Sequence, residues 1–358
     1  MGRPASDASL LSIARALGLS TATVSNAFNR PERVGAETLA RIHAEADRIG
    51  YGGPDPAARQ LRRGRADAIG LVLTDELPFA FEDHAAVGFL AGVAQTCEES
   101  GRSLVMLPSG PSGAPPLGTV AIDGVIVYSV ADHDPVLAAA KGRRIPIVVV
   151  DQPHADPAWD WVGIDHVSAG RAAAEHLARL GHRSVGLVTP RLGRTRRNGP
   201  WPGDEEPAYA VLRDRIAGFR SVFADLGVVH LPIEERTVSS EQAGAAGFEA
   251  LMSRHPDLTA VFCLSDELAL GALARATDLG MAVPGRVSIV GVDDIERSEA
   301  AGLTTIEQPL QAKGAVAGRL LMSRIDERLA GGRQGPAVAR TLPTTLHVRS
   351  TSAPPNFR

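Results

Sequence analysis

Only two cysteines, Cys97 and Cys263, occur in 358 residues. Both fall in apolar patterns, which argues against a disulfide framework and for two buried, reduced thiols of a cytoplasmic chain. No apolar run is long enough to span a bilayer. The N-terminus has no apolar segment of the kind a secretory signal needs, so export is not expected. Catalytic signatures are missing as well: there is no Gly-x-x-x-x-Gly-Lys phosphate cradle, no Gly-x-Ser-x-Gly elbow, no His-Glu-x-x-His and no Cys-x-x-Cys. Asp293 and Asp294 are adjacent on an expected strand, where side chains alternate between faces, and so form no dyad. His176 and His182 do not share a helical face, which argues against a metal site. No cofactor, no metal and no catalytic residue is therefore expected.

What is present is unevenly charged. Residues 1 to 65 hold 10 Lys and Arg against 6 Asp and Glu, a net +4, in a chain of net −4, which leaves −8 on the remainder. A basic head on an acidic body suits a protein that touches nucleic acid at one end. In that head, Leu10, Ile13, Ala14 and Leu17 repeat at helical spacing after a cap at Ser9, and Gly18 closes the helix. Ser20 caps a second helix through Asn29, with Val24, Ala27 and Phe28 on one face. Its other face carries Thr21, Ala22, Ser25 and Asn26, small or polar groups able to approach base edges. A third helix follows, with Leu39, Ile42, Ala46 and Ile49 inward and Gly50 suited to a left-handed C-cap. Helix, Gly-containing turn, helix is the spacing of a helix-turn-helix.

The residues Ile13-Ala14-Arg15-Ala16-Leu17-Gly18-Leu19-Ser20, then Thr23-Val24-Ser25 and Asn29, then Ile49-Gly50-Tyr51, resemble the headpiece of the lac repressor (LacI/GalR) family of bacterial transcription regulators. Pro54 to Arg65 resembles that family's hinge. The resemblance implies DNA contacts at Ser20, Thr21, Ala22, Thr23, Ser25, Asn26 and Asn29. It also implies phosphate contacts at Arg59 and Arg62, and a minor-groove wedge at Leu61. At Asn26 the family often has arginine; asparagine prefers the adenine edge, so a guanine contact is not carried over.

From Ala68 onward, apolar strands alternate with helices, the pattern of parallel βαβ units. Strands are expected at 69–73, 104–107, 125–128, 147–150, 162–164, 185–188, 260–263, 287–292 and 304–306. Helices are expected at 87–100, 135–143, 168–180, 211–226, 242–254, 267–279 and 310–330. The expected organisation is a headpiece (1–51), a linker and hinge helix (52–66), an effector-binding and dimerisation body (67–350) and a tail (351–358). The fold class is α/β: a three-helix headpiece plus, as the resemblance implies, a two-lobed periplasmic-binding-protein-like body with parallel sheets. Its chain would cross between lobes near Asp165, Pro309 and Leu342. Residues 190–207, rich in Arg, Gly and Pro, read as a structureless surface insertion, with coverage of the cleft mouth as the alternative.

Open α/β sheets bind ligands beyond the C-terminal ends of their strands, where Asp151, Asp165, Ser265, Asp266 and Asp293 fall. Asp266 has a helix N-cap as its competing reading. The resemblance carries ligand contact onto Asp151, Arg215 and Asp293, and it points to Phe79 and Phe81 as stacking or merely packing aromatics. Where the family often has Asn, this chain has Ser265. The reading is a homodimeric, ligand-responsive repressor: double-stranded DNA as palindromic operator, a small sugar or nucleoside-like effector, and no membrane partner. The rivals are a solute-binding protein and a cytoplasmic sugar- or nucleoside-processing α/β enzyme.

Overall fold

The structure is a computed structural model that describes residues 9–53, 64–73, 77–108, 117–132, 134–153, 158–193, 195–203, 205–332 and 334–356. The chain divides into two compact units, residues 1–66 and 67–358.

In the first unit, α1 (Leu10–Leu17) starts at Ser9, whose hydroxyl accepts from the Ser12 amide. It ends at Gly18 with φ 66°, a conformation that glycine adopts without a Cβ clash. Helices α2 (Thr21–Asn29) and α3 (Ala36–Ile49) follow. Ile13, Ala14, Val24, Ala27, Ile42 and Ala46 form the buried core. Phe28 closes it, edge-on to His43 at 5.2 Å and to Tyr51 at 5.5 Å between ring centroids.

The second unit opens with β1 (Ala68–Leu73), α4 (Phe79–Glu82), α5 (His84–Ser100), β2 (Ser103–Pro108), β3 (Gly124–Tyr128), α6 (Pro135–Gly142), β4 (Ile147–Val150) and β5 (Asp160–Ile164). The chain then passes to a second lobe. This holds α7 (His166–Arg179), β6 (Val185–Thr189), β7 (Gly199–Pro200), α8 (Ala210–Asp225), β8 (Ile233–Glu235) and α9 (Glu241–Arg254). It continues through β9 (Ala260–Cys263), α10 (Asp266–Asp278), β10 (Ser288–Asp293), α11 (Glu296–Ala300) and β11 (Thr304–Glu307). Helix α12 (Leu310–Leu329) returns to the first lobe, β12 (Ala339–Leu342) joins its sheet, and β13 (Thr345–His347) joins the other.

The first sheet has the order β12-β5-β4-β3-β1-β2 and is parallel throughout; the second runs β13-β11-β10-β9-β6-β8-β7, with only β13 and β7 antiparallel to their neighbours. The chain thus crosses between sheets at three places, after Ile164, after Glu307 and after Leu342. Strands such as Ile147–Val150 are buried along their whole length, as expected where helices cover both faces.

Glycines bring three helix pairs together. A Cβ on Gly170 of α7 would lie 2.0 Å from the Arg215 carbonyl oxygen of α8, and one on Gly218 of α8 would lie 2.0 Å from the Val167 oxygen of α7. Gly244 and Gly271 do the same between α9 and α10, as do Gly92 and Gly314 between α5 and α12. The first pair matters most here, because it sets the backbone that carries Arg215.

One expectation needs correction. Residues 190–207 are not structureless. Leu192 is fully buried in the second lobe's core, its amide and that of Gly193 donate to Glu235 Oε1 at 2.7 and 3.2 Å, and β7 lengthens the sheet. Residues of the C-terminal tail are tied to the second lobe. The Thr351 hydroxyl donates to the Ile289 carbonyl at 2.7 Å, and His182 Nε2 meets the Ala353 carbonyl at 3.0 Å.

Candidate functional site

Helix α2 is organised from its cap. Ser20 Oγ accepts from the Thr23 amide at 3.0 Å and lies 2.8 Å from the Thr23 hydroxyl. At the other end, Asn29 Nδ2 donates to the Ser25 carbonyl at 2.9 Å and to its hydroxyl at 3.2 Å. Four of the seven polar or small positions expected to meet DNA are thus engaged in shaping the helix. Thr21 and Ala22 are exposed and Asn26 is half-buried. Arg59, Leu61 and Arg62 lie outside the described residues.

In the second unit, a cavity of about 180 Å³ opens between the C-terminal ends of the strands of both sheets. That is below the roughly 300–1,000 Å³ of drug-sized sites, so it suits a compact molecule. Four expected residues line it: Asp151, Arg215, Ser265 and Asp293. Asp151 and Asp293 have φ of 61° and 128°, which non-glycine residues seldom adopt.

Behind Asp151 stands a residue the sequence reading missed. Lys313, fully buried on α12, donates to both Asp151 oxygens at 3.0 and 2.8 Å and to Gln308 Oε1 at 2.8 Å. Gln308 Nε2 in turn donates to Asp293 Oδ1 at 2.5 Å. One chain of hydrogen bonds therefore joins the carboxylates of the two lobes through the crossing at Gln308. Burial pushes the Asp151 carboxyl up, but the Lys313 ammonium beside it outweighs this and holds it well below the usual carboxylate range.

Asp293 goes the other way. Burial and the charge of Asp83 push it up, against the pull of Arg215 and Gln308. Arg215 donates through Nε to His166 Nδ1 at 3.3 Å and through a terminal nitrogen to the Leu264 carbonyl at 2.8 Å. Among the described residues no ion pair joins Arg215 to Asp293. His166, which no motif singled out, lines the cavity and is almost wholly buried. Gln152 Oε1 accepts from the Val211 amide at 2.8 Å, and Asp132 accepts from Arg213 at 3.1 Å, so first-lobe side chains grip α8 beside the cavity. On another side, His84 Nδ1 lies 2.6 Å from Glu267 Oε1 of α10. Arg191, from the insertion, lies over the Tyr209 ring and donates to its hydroxyl, and both residues line the cavity.

Asp165, Asp266 and Phe81 fall elsewhere. Asp165 caps α7, accepting from the Ser168 amide at 2.9 Å and hydroxyl at 2.6 Å, and is absent from the cavity wall. Asp266 is fully buried and accepts from the hydroxyls of Thr305 and Ser298, each at 2.6 Å, and from the Ile295 amide at 3.2 Å. It is an internal strut, and the cap of α10 is Ser265, which also meets Ser239 Oγ at 2.7 Å. Phe81 is 63% exposed and does not line the cavity; Phe79 is the first residue of α4, and its side chain lies outside what the structure describes. No helix among the described residues is long and apolar enough to cross a membrane.

Residues 174–352 match a family model described as a periplasmic binding protein-like domain. The chain is 39% identical to IpsA, an HTH-type transcriptional regulator of Corynebacterium glutamicum, over 99% of this chain and 100% of that protein. A solved LacI-family transcriptional regulator from Corynebacterium glutamicum superposes with a TM-score of 0.72 at 35% identity, covering 96% of this chain and 98% of that one. A complex of the transcriptional regulator CelR with cellobiose does so with a TM-score of 0.67 at 25% identity, covering 98% and 100%.

Proposed function

The chain belongs to the lac repressor (LacI/GalR) family of ligand-responsive, DNA-binding transcriptional regulators, and from that membership we propose a homodimeric repressor. Its headpieces bind the two halves of a palindromic operator, and its body takes a sugar or nucleoside-like effector into the cavity. Thr21, Ala22 and Asn26 face the base edges, while Ser20, Thr23, Ser25 and Asn29 hold the helix that presents them. Arg59 and Arg62 contact phosphates, and Leu61 enters the minor groove. Asp151, Arg215, Ser265 and Asp293 contact the effector, which shifts the body between two lobe arrangements. The protein works in the cytoplasm and turns nothing over.

The observation that carries the effector reading is the pair Arg215 and Asp293. A buried guanidinium that finds only an imidazole and a carbonyl faces a carboxyl held by a glutamine. A molecule with several hydroxyls satisfies both, and the cellobiose in the CelR complex is of that kind. The test has two arms on the full chain. Selection from random DNA should enrich a palindromic site, and sugars, nucleosides and purines that raise the melting temperature should change affinity for that site. No enriched sequence would overturn the DNA reading. Ligands that bind without changing DNA affinity would overturn the effector reading, and conversion of a candidate sugar by the purified chain would overturn the absence of turnover.

A further inference from the structure

One buried polar atom on the cavity wall is left unsatisfied by the protein. His166 is 6% exposed, and its Nε2 has no hydrogen-bond partner. The other ring nitrogen settles which tautomer is present. Nδ1 faces Arg215 Nε at 3.3 Å, and a guanidinium can only donate, so Nδ1 is the bare nitrogen and Nε2 carries the hydrogen. The nearest acceptor, Asp151 Oδ1, is 3.5 Å from Nε2, beyond ordinary hydrogen-bond reach. Asp151 is held there by Lys313, which takes both of its oxygens. A buried donor without a partner is costly and calls for an explanation.

We propose that His166 Nε2–H is an effector-contacting donor that, with Asp151 Oδ1, selects a hydroxyl group. A hydroxyl can accept from Nε2–H and donate to Asp151 at once. A carbonyl or bare ring nitrogen can only accept and brings Asp151 no donor beyond Lys313, and an anion is repelled by it. The inference rests on reading the cavity as the effector site and deepens it: the ligand is a polyol, not a base recognised through its carbonyl. The charged groups facing the ring are Asp151, Arg215 and Lys313. Burial and the two cations push the imidazole down to about 4, against the pull of Asp151, so it stays neutral at pH 7. The same contact makes His166 a positioning residue, because a bound hydroxyl that fixes the ring also fixes Arg215.

The test is long-range proton–nitrogen spectroscopy of the full chain labelled in its histidine rings, with His166→Asn to assign the signal. The expected ring is neutral, protonated at Nε2 and flat between pH 5.5 and 8. Its Nε2 should shift with glycerol or D-ribose and not with 1,3-dimethyluracil, whose carbonyls can only accept. His166→Leu should weaken binding of whichever polyol binds by about tenfold, the loss of one hydrogen bond, and His166→Asn should recover part of it. A ring protonated at Nδ1, or one that titrates near 6.5, would overturn the inference, as would polyol binding that leaves Nε2 unmoved. Binding of 1,3-dimethyluracil without any polyol would overturn the hydroxyl selection yet leave an effector cavity. If no ligand of any class alters DNA affinity, it is the reading beneath that falls.

Discussion

Helix α2, proposed to read DNA, and the cavity proposed to hold the effector are built in opposite ways. The helix places its outward residues within one stretch, Thr21–Asn29, on a core of six small or branched side chains. The cavity gathers its walls from Leu73 to Gln308, with Lys313 behind them, and depends on two sheets and three crossings of the chain. A contiguous site needs only a stable helix, so its failure modes are local. A convergent site fails whenever any supporting element moves, and its charges survive burial only because each has a partner.

The largest effect that would sharpen this contrast is expected at Lys313. Lys313→Met leaves Asp151 buried and unpaired, which should cost about 3–5 kcal/mol. The three tryptophans, Trp159, Trp161 and Trp201, all lie in the second unit, so denaturant unfolding followed by their fluorescence reports that unit alone. Adding Asp151→Asn should recover much of the loss; a loss below about 1 kcal/mol would mean the pair bears little weight.

Ile13→Ala is the counterpart in the headpiece. Ile13 is fully buried, and its truncation should cost roughly 2–5 kcal/mol, comparable to all that so small a core supplies. DNA binding should vanish while the tryptophan transition stays put; a shift of that transition would break the separation of the two units.

A smaller effect concerns Asp83, the N-cap of α5, which lines the cavity. Burial, and the nearby charge of Glu267, push it up to about 6 against the Ala85 and Ala86 amides. A raised carboxyl favours the protonated native state, so its contribution is present below about pH 3.8 and lost as pH rises through about 6. Asp83→Asn keeps a capping side chain and removes the charge. It should therefore stabilise the second unit by about 2 kcal/mol at pH 8 and by nothing at pH 3.5. Equal stability of the two proteins at pH 8 would contradict this. The smallest effect on stability, none, is expected when Thr21, Ala22 and Asn26 are exchanged together. Their exchange should change the half-site selected from random DNA and leave the salt dependence of binding alone. An unchanged half-site would remove them from base recognition.

The same contrast decided what could be read in advance. Capped, periodic segments such as α1 and α3, and runs such as Ile147–Val150, announce themselves because their pattern is local. Strand β8 was invisible: two of its three residues are glutamates, buried because Glu234 meets Arg236 and Glu235 meets backbone amides of the insertion. Lys313 was hidden for a similar reason, a cation on the inward face of a helix whose partner lies 162 residues away. A strand-end position brought Asp151 and Asp293 to the cavity, yet it did not do so for Asp165 and Asp266. The side chain's own partner, a helix amide or a buried hydroxyl, decided those two. His166 gave no signal except its place directly after Asp165.

In the proposed function, these two unlike sites share one free energy. Coupling between binding sites is reciprocal: a ligand that changes DNA affinity by some factor must have its own affinity changed by the same factor when DNA is bound. The most direct measurement titrates a sugar found in the thermal screen into the free full chain and into its complex with the selected DNA, and titrates the DNA with and without that sugar. Equal factors, on the order of 5- to 150-fold, are expected in wild type, and a factor of one in Arg215→Ala with DNA affinity retained. Identical sugar affinity with and without DNA in the wild type would contradict it.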